Sequence, residues 1–197
     1  MKSKRIDPLV LSTFLTTLFY SATYPYINKI IISSVSTRFI AVNQILNCLS
    51  IIIFNSIWTK YHKKLYDILP LFCISESIAT ISCTIYCIIF KNIISYYIID
   101  TILFTLITRN IICGYSRLCA KRYRDEDSRA IYENKVNIAS AAATIIGSLI
   151  SMILQLDFEV MLIIAAIGNS IDNTFYIFIH KNTPKGEIKN EEKKDVQ

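Results

Sequence analysis

Charged residues fall in clusters along this chain, and between the clusters lie six long stretches of apolar and uncharged sequence. Residues 8–28 and 39–59 contain no Asp, Glu, Lys or Arg. Residues 68–90 contain only Glu76, residues 92–116 only Asp100 and Arg109, residues 136–156 none, and residues 160–180 only Asp172. A helix needs ~20 mostly apolar residues to cross the hydrocarbon layer of a membrane, and each stretch meets that length. The hydrocarbon offers no hydrogen bonds, so a crossing segment must satisfy its own backbone, as a helix does. The pattern predicts an all-α integral membrane protein with six transmembrane helices, near residues 8–32, 38–58, 66–90, 93–115, 133–155 and 159–180.

Local signals sharpen this outline. Asp7-Pro8 reads as a helix opening, with a capping carboxylate and proline at the first helical position. Pro25 removes one backbone donor and predicts a kink in the outer third of the first helix. Trp58, Tyr61 and Tyr66 mark the inner interface, and Tyr96 and Tyr97 the outer one. Leu118–Tyr132 is the longest internal link and carries charges of both signs, suiting a solvated loop or a surface helix. Residues 1–181 form one six-helix domain, and residues 182–197 read as a charged, disordered tail. No internal repeat stands out.

The net charge of +6 suggests a nucleic-acid partner until its placement is considered. If the chain starts inside, all of its 21 Lys and Arg residues except Lys29, Arg38, Lys91 and Arg109 lie at the inner side. The positive-inside rule then puts both termini in the cytoplasm of a plasma or inner membrane. Topology accounts for the charge, and no nucleic acid is expected as a partner. The N-terminal stretch reads as an uncleaved signal-anchor, being too long for a cleaved signal peptide.

The six cysteines include no Cys-x-x-Cys pair and none at metal-ligand spacing from a histidine. They read as small apolar side chains, so no metal and no cofactor is expected. Both histidines, His62 and His180, fall at the inner interface. With no nucleophile elbow and no intramembrane histidine, the chain is not expected to be an enzyme.

What remains are ionisable residues inside the spans, which are costly there and usually functional. Glu76 and Asp172 fall near the midplane, and Arg109 lies at a depth comparable to Glu76, so a Glu76–Arg109 pair is geometrically possible. Glu76, Asp100 and Asp172 are candidates for proton coupling, or else polar groups that hold helices together. Asn28 follows Pro25 and is a further pathway candidate. Asn169 and Asn173 add polarity around Asp172. Ala139, Ala143, Gly147 and Ser151 recur every four residues and give the fifth helix a small face for close packing, within the chain or across a dimer.

Six spans, both termini inside and a basic link between helices two and three together resemble one half of a major facilitator superfamily transporter. The segment from Asn55 to Lys64 occupies the place of that family's Gly-x-x-x-Asp-Arg-x-Gly-Arg-Arg loop, with agreement at the basic positions Lys60, Lys63 and Lys64. Arg109 followed by Gly114 is similar to the family's fourth-helix arginine motif. Arg129–Asn134 leading to Ala143–Gly147 is similar to its loop into the fifth helix, which here lacks the Gly-Pro of the antiporter signature. The resemblance implies a major-facilitator-like half bundle that pairs as a homodimer, or with another six-helix half, around a path for a small-molecule substrate. It also implies that helices one and four line that path, which favours Asp100 and Arg109 over Glu76 and Asp172. The competing expectation is a membrane accessory or immunity protein without transport, or a truncated transporter remnant.

Overall fold

A computed structural model describes residues 7–123, 125–154 and 156–183. Six helices occupy nearly all of them: α1 (Pro8–Ser34), α2 (Thr37–Asp67), α3 (Leu69–Phe90), α4 (Ile93–Arg122), α5 (Glu126–Leu154) and α6 (Phe158–Asn182). No strand occurs among the described residues. Helices α2 to α6 are each long and apolar enough to cross a membrane. Helix α1 has the length, at 27 residues, but carries more Ser, Thr and Tyr. The exposed surface is strongly apolar, as contact with lipid requires. Isoleucines face outward along every flank, Ile153 being 72% exposed, while Thr23, Glu76, Asp172 and Asn173 are buried. Apolar side chains outside and polar ones inside define a membrane-embedded bundle.

The helix ends follow local chemistry. The Asp7 carboxylate accepts the Leu9 N–H at 3.0 Å, and Pro8 occupies the first helical position. Helix α1 then continues through Pro25 to Ser34. Lys91 closes α3 in the left-handed region at φ 49°, its N–H bonding the Cys87 carbonyl at 2.8 Å.

Three boundaries differ from the sequence expectation. Helix α2 runs past residue 58 through the basic segment to Asp67, bending at Tyr61, where φ is −116° and ψ 19°. Only Ile68 separates it from α3. The charged link expected at Leu118–Tyr132 is largely helical: α4 extends to Arg122 and α5 begins at Glu126. Charged side chains lower hydropathy but are good helix formers, so a helix continues beyond the hydrocarbon edge where composition alone marks a loop. Beyond Thr183 the expected tail lies outside the described residues.

Two apolar clusters close the ends of the bundle. One joins Leu9, Trp58, Tyr66, Leu118, Tyr132 and Ile179, which come from the start of α1, the end of α2, the ends of α4 and α6 and the start of α5. The other joins Ile27 and Ile31 to Cys83, Cys87, Tyr96 and Met161, at the opposite helix termini. The helices therefore alternate in direction, and the start of α1 and the end of α6 share one end. Lys60, Lys63, Lys64, Arg117, Lys121 and Arg122 sit at that same end, called the basic end below.

The principal helix contacts are α1 with α5 and α6, α6 with α3, α3 with α4, α4 with α2, and α1 with α4. Exchanging α1 with α4, α2 with α5 and α3 with α6 turns this set into itself. The pattern of principal neighbours is thus the same for α1–α3 as for α4–α6, which run in opposite directions, although the sequence shows no repeat. Helices α2 and α5 form the flanks, each resting chiefly on one neighbour.

The small-residue face of α5 meets α1 within the same chain. Ala143 is fully buried, and a Cβ placed on Gly147 would lie 2.7 Å from the Leu18 carbonyl oxygen and 2.8 Å from Ser21 Cβ. Backbone cannot yield as a side-chain tip can. Gly147→Leu is therefore expected to push α5 off α1 and destabilise the fold by about 1–3 kcal/mol, as overpacking typically does. A lowered thermal midpoint in detergent checks this, with Ile145→Ala on the exposed face expected to leave it nearly unchanged. Lys91→Gly is expected to raise the midpoint, because glycine adopts the left-handed cap without a Cβ clash.

Candidate functional site

Helix α6 carries a polar ladder through the middle of the bundle. Asn169, Asp172, Asn173 and Tyr176 recur at the spacing that keeps side chains on one helical side. The Ser12 hydroxyl of α1 donates to Asp172 Oδ1 at 2.5 Å, and Thr16 and Tyr176 also bond this carboxyl. One residue on, the Asn173 amide donates to Glu76 Oε2 at 2.8 Å and to Ser77 Oγ at 3.1 Å, both on α3. A turn earlier, the Asn169 amide donates to Thr80 Oγ1 at 3.3 Å. The ladder holds α6 to α1 and α3 by bonds that lipid cannot replace.

The fourth helix joins through a local irregularity. Residues Phe104–Thr108 form one π turn, a wider coil that commonly marks functional sites in helices. Its last residue, Thr108, donates its hydroxyl to Glu76 Oε1. Glu76 is buried and bonded from both α4 and α6, so the fold places one carboxyl where three helices meet.

Beside this junction, between α1, α3, α4 and α6, lies a cavity of about 190 Å³. Glu76, Asp100, Tyr24, Tyr96, Thr80 and Asn169 contribute its polar wall, and among the described residues no Lys, Arg or His lines it. At ~30 Å³ per water molecule, it has room for roughly six waters or a very small solute. Among its polar walls a proton or a cation is favoured over an anion, because two carboxyls face one space with no basic group.

The other sequence candidates separate. Asp172 is buried behind the cavity in its own hydroxyl cage. Arg109 lines a different space, a groove of about 470 Å³ between α2 and α4, so Asp100 and Arg109 do not share one cavity. The oxygens of Glu76 are taken up by Thr108 and Asn173. Asn28 is exposed on α1 beyond Pro25 and outside the cavity wall. Lys60, Lys63 and Lys64 are exposed near the end of α2. Among the described residues, no cluster of His, Cys, Asp or Glu has the grouping to hold a metal ion.

Several participants escape a search for charge, namely Ser12, Ser77, Thr80 and Thr108. Their signal is spacing: Ser12, Thr16 and Thr23 fall on one side of α1, where the cavity and the ladder lie. Trp58 and Asn110 form a separate buried bond, the indole N–H donating to Asn110 Oδ1 at 3.0 Å between α2 and α4.

The basic end has its own network. Arg122 forms an ion pair with Asp7 at 3.7 Å, and the Tyr123 hydroxyl donates to the same carboxylate. Burial, the leading cause, and that carboxylate together push the Tyr123 phenol well above its ordinary range. Lys121 stands 3.7 Å from the centre of the Tyr66 ring, and burial pulls its ammonium below the usual lysine value. These contacts fasten the start of α1 and the end of α2 to the end of α4.

No protein-family model, no curated protein and no solved structure matches this chain.

Removing the Glu76 carboxyl leaves the Asn173 amide and the Thr108 hydroxyl short of a buried partner. Glu76→Ala is expected to cost about 1–3 kcal/mol, the penalty of an unsatisfied buried group. Glu76→Gln keeps an acceptor for one of them and is expected to cost less. Thermal unfolding of the two variants in one detergent measures the difference.

Proposed function

We propose that this protein carries a small solute across the cell membrane as a six-helix secondary transporter, with proton coupling through Asp100 and Glu76. The observation that carries the reading is the cavity in the middle of the bundle, walled by two carboxyls. A closed bundle with only packing duties has no need for ionisable groups around an internal space at membrane depth. The likeness to half of a major facilitator superfamily transporter draws support from the matching neighbour patterns of α1–α3 and α4–α6, since inverted three-helix units are common in secondary transporters. On this reading both termini face the cytoplasm, because the start of α1 and the end of α6 lie at the basic end. Two copies, or this chain and another six-helix half, pair to complete the solute path. The internal carboxyls then act as the coupling site within each half.

Reconstitution into sealed vesicles under an imposed pH gradient tests the proposal. Uptake of a solute from a broad panel is expected to follow the gradient and to fall at least about tenfold in Asp100→Asn, as loss of a required proton-transfer group does. Correctly folded protein that takes up nothing with the gradient applied, or an Asp100→Asn variant as active as the wild type, would overturn it.

A further inference from the structure

The groove between α2 and α4 has a character opposite to the central cavity. Arg109 and Arg117 lie on its α4 wall, eight positions and about 12 Å apart along the helix axis, and His62 lies on its α2 wall. Asn55, Thr59 and Ser116 add hydroxyl and amide groups, and among the described residues no carboxylate lines it. Its remaining surface is apolar, formed by Ile51, Ile112 and the Trp58 ring. Helix α2 is the least enclosed of the five apolar spans, with 6% of its membrane window buried, so the groove opens sideways to the surroundings. It begins at the basic end and reaches inward.

From this we infer that the α2/α4 groove is a binding site for one anionic phospholipid of the surrounding leaflet. The charge, the depth and the apolar floor suit the parts of such a molecule in order. Arg117 and His62 at the mouth face the phosphate, with the guanidinium fork suited to its paired oxygens. Arg109, deeper, adds a second positive charge, which favours an anionic lipid over a zwitterionic one. Ile51, Ile112 and Trp58 lie along an acyl chain. A basic pocket between membrane helices takes anionic headgroups by this combination of charge and hydrocarbon. The inference stands apart from the transport proposal, since a lipid seat stabilises a bundle with or without a solute path.

Trp58 makes the test direct, because it is the chain's only tryptophan and it lines the groove. The full-length protein is reconstituted in phosphatidylcholine vesicles containing a small fraction of either phosphatidylglycerol or phosphatidylcholine with brominated chains, which quench indole emission on contact. Bound phosphatidylglycerol is expected to quench with a preference of roughly thirtyfold over phosphatidylcholine, the effect of two basic contacts near the surface. Arg109→Gln and Arg117→Gln are each expected to lower that preference about fivefold. Lys63→Gln combined with Lys64→Gln removes as much charge from the exposed end of α2 as the two arginine changes together and is expected to leave most of the preference intact. Equal quenching by the two lipids in the wild type overturns the inference without recourse to any variant. So does a similar loss from the lysine and arginine pairs, which would mean diffuse surface attraction. Abolition of the preference by inorganic phosphate would assign the groove to a soluble anion instead. A symmetric crosslink between two Thr59→Cys chains would give it to a second copy and likewise overturn the lipid assignment.

Discussion

The structure depends on one constraint: inside a membrane, a polar side chain can be satisfied only by another part of the protein. Asn169, Asp172 and Asn173 on α6 meet it by reaching Thr80, Ser12, and Glu76 with Ser77. Each of these bonds joins α6 to a different helix or a different level of the same one. Water would compete for every one of them in a soluble protein, and the net gain per bond would be ~1 kcal/mol. In lipid the unfolded helices have fewer competing partners, so these bonds act mainly to fix which helix faces meet. The apolar clusters at the two ends then fill space around an arrangement the polar middle has already selected.

That middle is also where packing departs from regularity. The π turn in α4 brings Thr108 onto Glu76, and the space left beside it becomes the cavity lined by Glu76 and Asp100. A regular helix there would keep its own hydrogen-bond ladder tighter. The irregular turn is tolerated because the surrounding helices enclose it. Structure and proposed activity thus converge on one level of the bundle, where helices α1, α3, α4 and α6 all contribute.

Charge is divided between two separate environments. Among the described residues the lining of the central cavity holds the carboxyls Glu76 and Asp100, and that of the α2/α4 groove holds Arg109 and Arg117. Both are walled by α4, with Asp100 lining the cavity and Arg109 the groove, on either side of the π turn. One helix separates the two fields, which in a low-dielectric setting would otherwise strongly attract. The repeated packing plan gives the flanking helices α2 and α5 few neighbours, and leaves their outer faces to lipid or to a partner bundle.

Much of this was legible along the chain. The windows around residues 8–28, 39–59 and 136–156 announce their solvent by composition alone, because hydrocarbon selects against charge at every position of a span. The inward need of Glu76, Asp100 and Asp172 follows from the same rule, and the capping role of Asp7 from the unpaired N–H groups of a helix start. Helix limits were less legible: Glu126–Lys135 is charged, so hydropathy excludes it from a span, yet backbone propensity lets α5 begin there. Which polar groups meet was not legible. Nothing in one dimension says that Asn173 reaches Glu76, that Asp100 shares Glu76's cavity while Arg109 does not, or that Gly147 rests on Leu18. Solvent preference belongs to each segment and can be read residue by residue. The choice of partner belongs to pairs of distant surfaces, and it is settled only when six helices compete to bury their polar and small faces together.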